Sequence, residues 1–219
     1  MGQGHAHPAI AETIRRKCEL GTQFALPTED AAVVAERLAR IFRLPKWRFV
    51  NSGTEAPIEA IRIARGYTGR DQVLKIFGSY HGHHDYVMVG LGVTDFGDIG
   101  PRNNCKSISY GAGIPASVVE MTATVPFNDA PAVEARIERL IEEGAEAGLP
   151  HHGGGHDEPA GAPDMVTLGK AWGRGCPLAL SGLPRRSRRW WLPGRFIRWG
   201  PTTATPYPWL RLALILRRS

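Results

Sequence analysis

Between Thr28 and Gly144, short apolar runs alternate with amphipathic stretches, and small or helix-capping residues mark each changeover. Thr28 is placed to cap a helix running to about Phe42. Glu29 and Asp30 stand at its positive end, and Val33, Val34, Leu38, Ile41 and Phe42 recur along one face. Trp47–Val50 reads as a short strand, Asn51-Ser52-Gly53-Thr54 as a turn, and a helix follows through Ile58, Ile61, Ala64 and Arg65 to Gly66 or Gly69. Val73–Phe77 is a second buried strand ended by Gly78, Gly90–Pro115 a long loop, and Val125–Phe127 a further short strand. Asp129 caps the clearest helix, with Pro131 in its first turn, Val133, Ile137, Leu140 and Ile141 on its apolar face, and Gly144 as its stop. Strands that alternate with helices predict an α/β fold with a mostly parallel sheet.

Beyond Gly144 the texture changes. Residues 145–161 have no periodicity, 162–182 return to a patterned segment, and 183–219 form a basic, Trp/Pro-rich tail. The formal net charge of +6 belongs to that tail, since residues 185–219 hold nine arginines and no acidic side chain. Any argument from charge to nucleic acid therefore rests on the tail alone. Three cysteines (Cys18, Cys105, Cys176) are too few and scattered for a disulfide framework. No apolar run is long enough to span a membrane, and the first residues are polar. The expectation is a cytoplasmic protein with neither a membrane nor a specific nucleic-acid partner.

Three segments can carry chemistry. In FVNSGTEA (Phe49–Ala56), a small-residue turn opens a helix, so the N–H groups of Gly53 and Thr54 and the hydroxyls of Ser52 and Thr54 suit a phosphate ester. The same spacing also serves an ordinary Ser/Thr helix cap. Gly78–Asp85 follows a strand and holds three histidines. His83 and His84 are adjacent and fit no zinc spacing, so no metal is expected. A loop at the carboxyl end of a strand is the alternative, with Tyr80 offering a flat face to an aromatic cofactor. Lys170 ends the apolar run Met165–Leu168 and precedes a glycine-rich loop. It is either a solvated surface residue or a partly desolvated nucleophile toward carbonyls. Together, a phosphate cradle, an aromatic platform and a lysine are what pyridoxal 5'-phosphate requires.

FVNSGTEA with AIRIARGYTGR, SYHGHHD and PDMVTLGKAWGRG resemble the class III pyridoxal-phosphate aminotransferases, in particular the glutamate-1-semialdehyde 2,1-aminomutase group. The resemblance covers residues 4–144 almost continuously and 162–182 again. It implies the fold type I architecture of pyridoxal-phosphate transferases, here with an incomplete large domain. It further implies a small amino-acid-like substrate and a homodimer. By this resemblance Ser52, Gly53 and Thr54 bind the cofactor phosphate, Tyr80 stacks on the ring, His81 supports it, and Lys170 holds the aldehyde as a Schiff base. Whether the amino group returns to the same substrate or passes to a second oxo acid stays open.

Two elements of the family pattern are absent. One is the stretch between the SYHG loop and the lysine with its strand-end glutamate and the aspartate that pairs with the pyridine nitrogen. The other is the GTYNGNP segment after the lysine. The genetic code suggests a cause. Read from the third base of the Trp190 codon, with permitted wobble bases, the tail spells VAPGSVYQVGTYNGNP. Read from the second base of His151, HHGGGHDEP spells IMEAAMMNL. This predicts that about 146–161 and 183–219 are translated out of frame, which would make the histidine cluster and the arginine tail accidental. A non-enzymatic remnant of a broken aminotransferase coding sequence is the alternative to an enzyme, and a tail-driven nucleic-acid binder is a third possibility.

Overall fold

The computed structural model describes residues 5–92, 96–142, 148–149, 165–169, 179–183, 199–201 and 215–216. The described elements are helices α1 (Pro8–Cys18), α2 (Glu29–Phe42), α3 (Glu55–Thr68), α4 (Ala116–Glu120) and α5 (Ala130–Glu142), with eight strands. These are β1 (Lys46–Val50), β2 (Val73–Ile76), β3 (Thr122–Val125), β4 (Gly148–Leu149), β5 (Met165–Leu168), β6 (Ala179–Leu183), β7 (Trp199–Pro201) and β8 (Ile215–Leu216). They form two sheets, in the orders β1-β6-β5-β7 and β3-β2-β4-β8. In each sheet three strands share one direction: β1, β5 and β7 run against β6, and β2, β3 and β4 run against β8.

The predicted elements form for the predicted reasons. Thr28 Oγ1 accepts from Ala31 N–H at 3.4 Å to cap α2, and Asp129 Oδ1 accepts from Ala132 N–H at 3.1 Å to cap α5. Gly69 ends α3 at φ 72°, a left-handed cap that glycine adopts without strain. One strand lies earlier than its apolar letters suggest. β3 is Thr122–Val125, not Val125–Phe127. The hydroxyls of Thr122 and Thr124 donate to the carbonyls of Tyr86 and Lys106, which lets both polar residues be fully buried while Phe127 is exposed. The long loop is ordered along this edge: the Gly78 N–H donates to the Gly90 carbonyl, the Gly90 N–H donates to the Ile108 carbonyl, and Val89 bridges Ser109.

Three apolar clusters hold the described residues together. Ala60, Ile61, Ala64 and Tyr67 of α3 pack on Val73 of β2 and Met165 of β5. Leu74 and Ile76 meet Ala123, Val125 and Leu140 on the other face of β2. Leu38 and Leu44 meet Val166 and Leu168. The expected apolar face of α2 is buried only at Leu38, and Val33, Val34 and Ile41 are exposed. Lys75, alternating with Leu74 and Ile76 on β2, is fully buried, and its Nζ has no hydrogen-bond partner among the described residues.

Candidate active site

Ser52, Gly53 and Thr54 sit where β1 turns into α3. Ser52 Oγ accepts from Glu55 N–H at 3.1 Å, while the Glu55 carboxylate accepts from Asn51 N–H at 2.6 Å. The Ser52 hydroxyl and the Glu55 carboxylate together hold the turn, the return bond going to Asn51 rather than to Ser52, while Thr54 at the N-cap of α3 makes no side-chain capping bond. One lone pair of Ser52 is therefore structural, and the helix-cap reading holds for that residue. Gly53 is exposed, and a Cβ built on it would meet no atom within 4 Å. Ser52 takes up the N–H groups of Glu55, through its Oγ, and of Ala56, through its carbonyl, so the donors left facing the open corner are those of Gly53 and Thr54.

The second motif meets this corner. The backbone N–H of His83 donates to Thr54 Oγ1 at 3.1 Å across a separation of 29 residues. Gly82 lies so near that a Cβ there would fall 2.8 Å from Thr54 Cα. In the same loop His81 is buried, and Tyr80 keeps 49% of its surface exposed. His84 is held neutral at physiological pH, with burial as the main cause of a pKa lowered to about 4. Asp85 opposes that shift and Arg65 adds to it. Among the described residues no group of three His, Cys, Asp or Glu side chains could hold a metal.

The third segment is tied in by register. Phe49 of β1 and Leu168 of β5 both pair with Leu180 of β6, so the carboxyl ends of β1 and β5 lie level at one edge of that sheet. Two strand spacings, about 10 Å, separate them. Gly169 is buried directly after β5, and Lys170 lies outside the described residues. The carboxyl ends of parallel strands are where open α/β sheets bind ligands.

The model of the aminotransferase class-III family matches residues 1–146. The chain belongs to that family. A glutamate-1-semialdehyde 2,1-aminomutase of Pyrobaculum calidifontis is 42% identical over 144 residues, covering 64% of this chain and 30% of the relative. The aminomutase of Pyrobaculum arsenaticum is 33% identical over 226 residues, 82% of this chain and 50% of the relative. Among solved structures, a variant glutamate-1-semialdehyde aminomutase of Pseudomonas aeruginosa PAO1 in complex with PMP matches with TM-score 0.63 and 25% identity, covering 88% of this chain and 51% of that one. This class-III chain thus spans between 30% and 50% of the length of these curated relatives. Its alignment to the Pyrobaculum arsenaticum protein is longer than its own 219 residues, so it passes over residues that only the relative has.

Sequence reasoning assigned Ser52, Gly53, Thr54, Tyr80, His81 and Lys170 to a cofactor but gave no role to Gly82 or the His83 backbone, which make the junction. A glycine following Tyr-His in a strand-end loop was the available signal.

Proposed function

We propose that this chain carries the cofactor-binding half of a pyridoxal-phosphate-dependent enzyme that moves an amino group on a small amino-acid-like substrate. The observation that carries the reading is the meeting of the two motifs, with the loop bearing Tyr80 and His81 bonded to the Ser52–Thr54 turn through Thr54. In this reading Ser52, Gly53 and Thr54 donate to the phosphate, Tyr80 covers the ring and His81 backs it from within the protein. The open space at Gly53 and the exposed face of Tyr80 fit such a ligand. Pyridoxal phosphate, when bound, supplies the electron-withdrawing ring and the aldehyde. Lys170 would supply the amine that anchors the aldehyde and, once freed again, would act as the base that takes up and returns a substrate proton. A homodimer belongs to the proposal, supported by the exposed Leu20, Phe24, Leu26, Val33 and Ile41. A cytoplasmic location also belongs to it. Among the described residues no helix is long and apolar enough to cross a membrane.

The test is absorbance. Purified chain mixed with pyridoxal phosphate is expected to show a visible band that borohydride removes and that Lys170→Ala lacks. Chain that is colourless once unbound cofactor has been removed by gel filtration would count against the reading. Product analysis with and without an added oxo acid separates a transaminase from an aminomutase.

A second reading is favoured by the residues that only the Pyrobaculum arsenaticum relative has. In it the polypeptide is a non-enzymatic remnant, organised as a family-like body (1–144), an aberrant linker (145–161), a lysine-bearing segment (162–182) and an out-of-frame tail (183–219). Sequencing the coding DNA decides the frame: codons unable to yield GTYNGNP from the third base of Trp190 end it.

A further inference from the structure

We propose that Gly82, with the backbone N–H of His83, is a positioning element that sets the distance between the anion-holding turn and the aromatic loop. This rests on the reading of Ser52–Thr54 as the phosphate site and of Tyr80 as the ring platform. At φ +103°, Gly82 occupies backbone space that L side chains rarely adopt. A Cβ there would fall 2.8 Å from Thr54 Cα, closer than real Cβ atoms approach, and 3.0 Å from its Oγ1, a tight contact. The nearest atom is backbone, so no rotamer change relieves the contact, and the loop or the turn must move. The His83 N–H holds the same junction closed from the next residue, at 3.1 Å. Two segments that follow different strands, the turn after β1 and the loop after β2, are thereby joined at one point, and the join involves no side chain of the ring-facing residues.

A clamp of this kind has a signature that ordinary structural support lacks. A ligand that touches both subsites gains by linkage, and that gain depends on the spacing. A ligand that touches only one subsite does not sense it. Pyridoxamine 5'-phosphate is the spanning probe, because without an aldehyde it cannot bond to Lys170. Inorganic phosphate and pyridoxamine probe the two ends separately.

The experiment measures the affinity of the full chain for all three probes by equilibrium titration, for the wild type and Gly82→Ala. Gly82→Ala is expected to weaken pyridoxamine 5'-phosphate by about tenfold or more while phosphate and pyridoxamine change by less than about twofold. Unchanged binding of the spanning probe, or an equal loss for all three probes, overturns the proposal. A wild type that binds none of them overturns the underlying cofactor reading, and this inference with it. Should Gly82→Ala fail to fold by circular dichroism, the exposed His83 provides the second arm. His83→Pro removes the N–H and is expected to reproduce the selective loss, whereas His83→Ala keeps the N–H and should bind as wild type. Equal behaviour of those two variants overturns the clamp.

Discussion

Replacing Lys75 by methionine should stabilise this protein, most at neutral pH and hardly at all in strong alkali. The side chain is fully buried on β2 and its Nζ has no partner among the described residues. Burial lowers its pKa from 10.5 to about 7. In the unfolded chain the amine keeps its ordinary affinity for a proton. Below about pH 7 both states are therefore charged and the whole burial penalty is present. Between pH 7 and 10.5 only the unfolded state holds the proton, so stability rises with pH. At 1.36 kcal/mol per pH unit, the full gap amounts to roughly 5 kcal/mol, an upper bound that relaxation around the amine reduces. Methionine matches the aliphatic stem, and such swaps cost under about 1.5 kcal/mol in packing. Urea unfolding at pH 6.5, 8 and 9.5 is the assay. The wild-type midpoint should climb with pH toward that of Lys75→Met, whose own profile lacks this rise. Parallel profiles, or a less stable variant at pH 6.5, would show that the ammonium has a compensating acceptor and refute the reasoning.

Other outcomes follow from the same structure. Asp129→Ala removes the cap on α5 and the 2.7 Å pair with Arg102. The Arg102 bond, more than the Ala132 N–H, holds the Asp129 carboxyl below its ordinary pKa, so its contribution is present above that value and lost as pH falls through the lowered one. The melting temperature should fall at pH 7, and the difference should shrink in acid. Leu38→Ala opens the cluster joining α2 to Val166 and Leu168 and should cost about 2–5 kcal/mol in denaturant unfolding, with pyridoxal-phosphate colour diminished because β5 leads into Lys170.

Where burial follows apolar pattern, the fold was legible. β1, β2, α3 and α5 stand within a residue or two of their expected bounds, and the Ser/Thr capping role expected at the start of α3 is seen where Ser52 Oγ accepts from Glu55 N–H. The pattern failed where polar groups are satisfied by distant backbone. Thr122 and Thr124 look like loop residues until the carbonyls of Tyr86 and Lys106 arrive beside them. α1 went unnoticed because none of its residues is buried. Local pairs of Arg15 with Glu12 and Glu19 support it, and its short apolar stripe of Ile10 and Ile14 was not read as a helix. In the candidate site, Thr54 and Tyr80 were visible through their chemistry. Gly82 contributes only an absence of atoms, and such an absence acquires meaning only once its neighbour is known.

The row in which Leu180 lies between Phe49 and Leu168 also dictates an order of events on the ribosome. β1 is made early, yet Lys46 finds its partner only in Leu183 and Val50 only in Ala179. Throughout the synthesis of the intervening chain, the KWRFV ribbon must travel with its ladder unmet, and long-range closure of this kind is slow. A nascent protein in that state invites chaperones, or neighbouring copies of itself, to take the seat before β6 emerges.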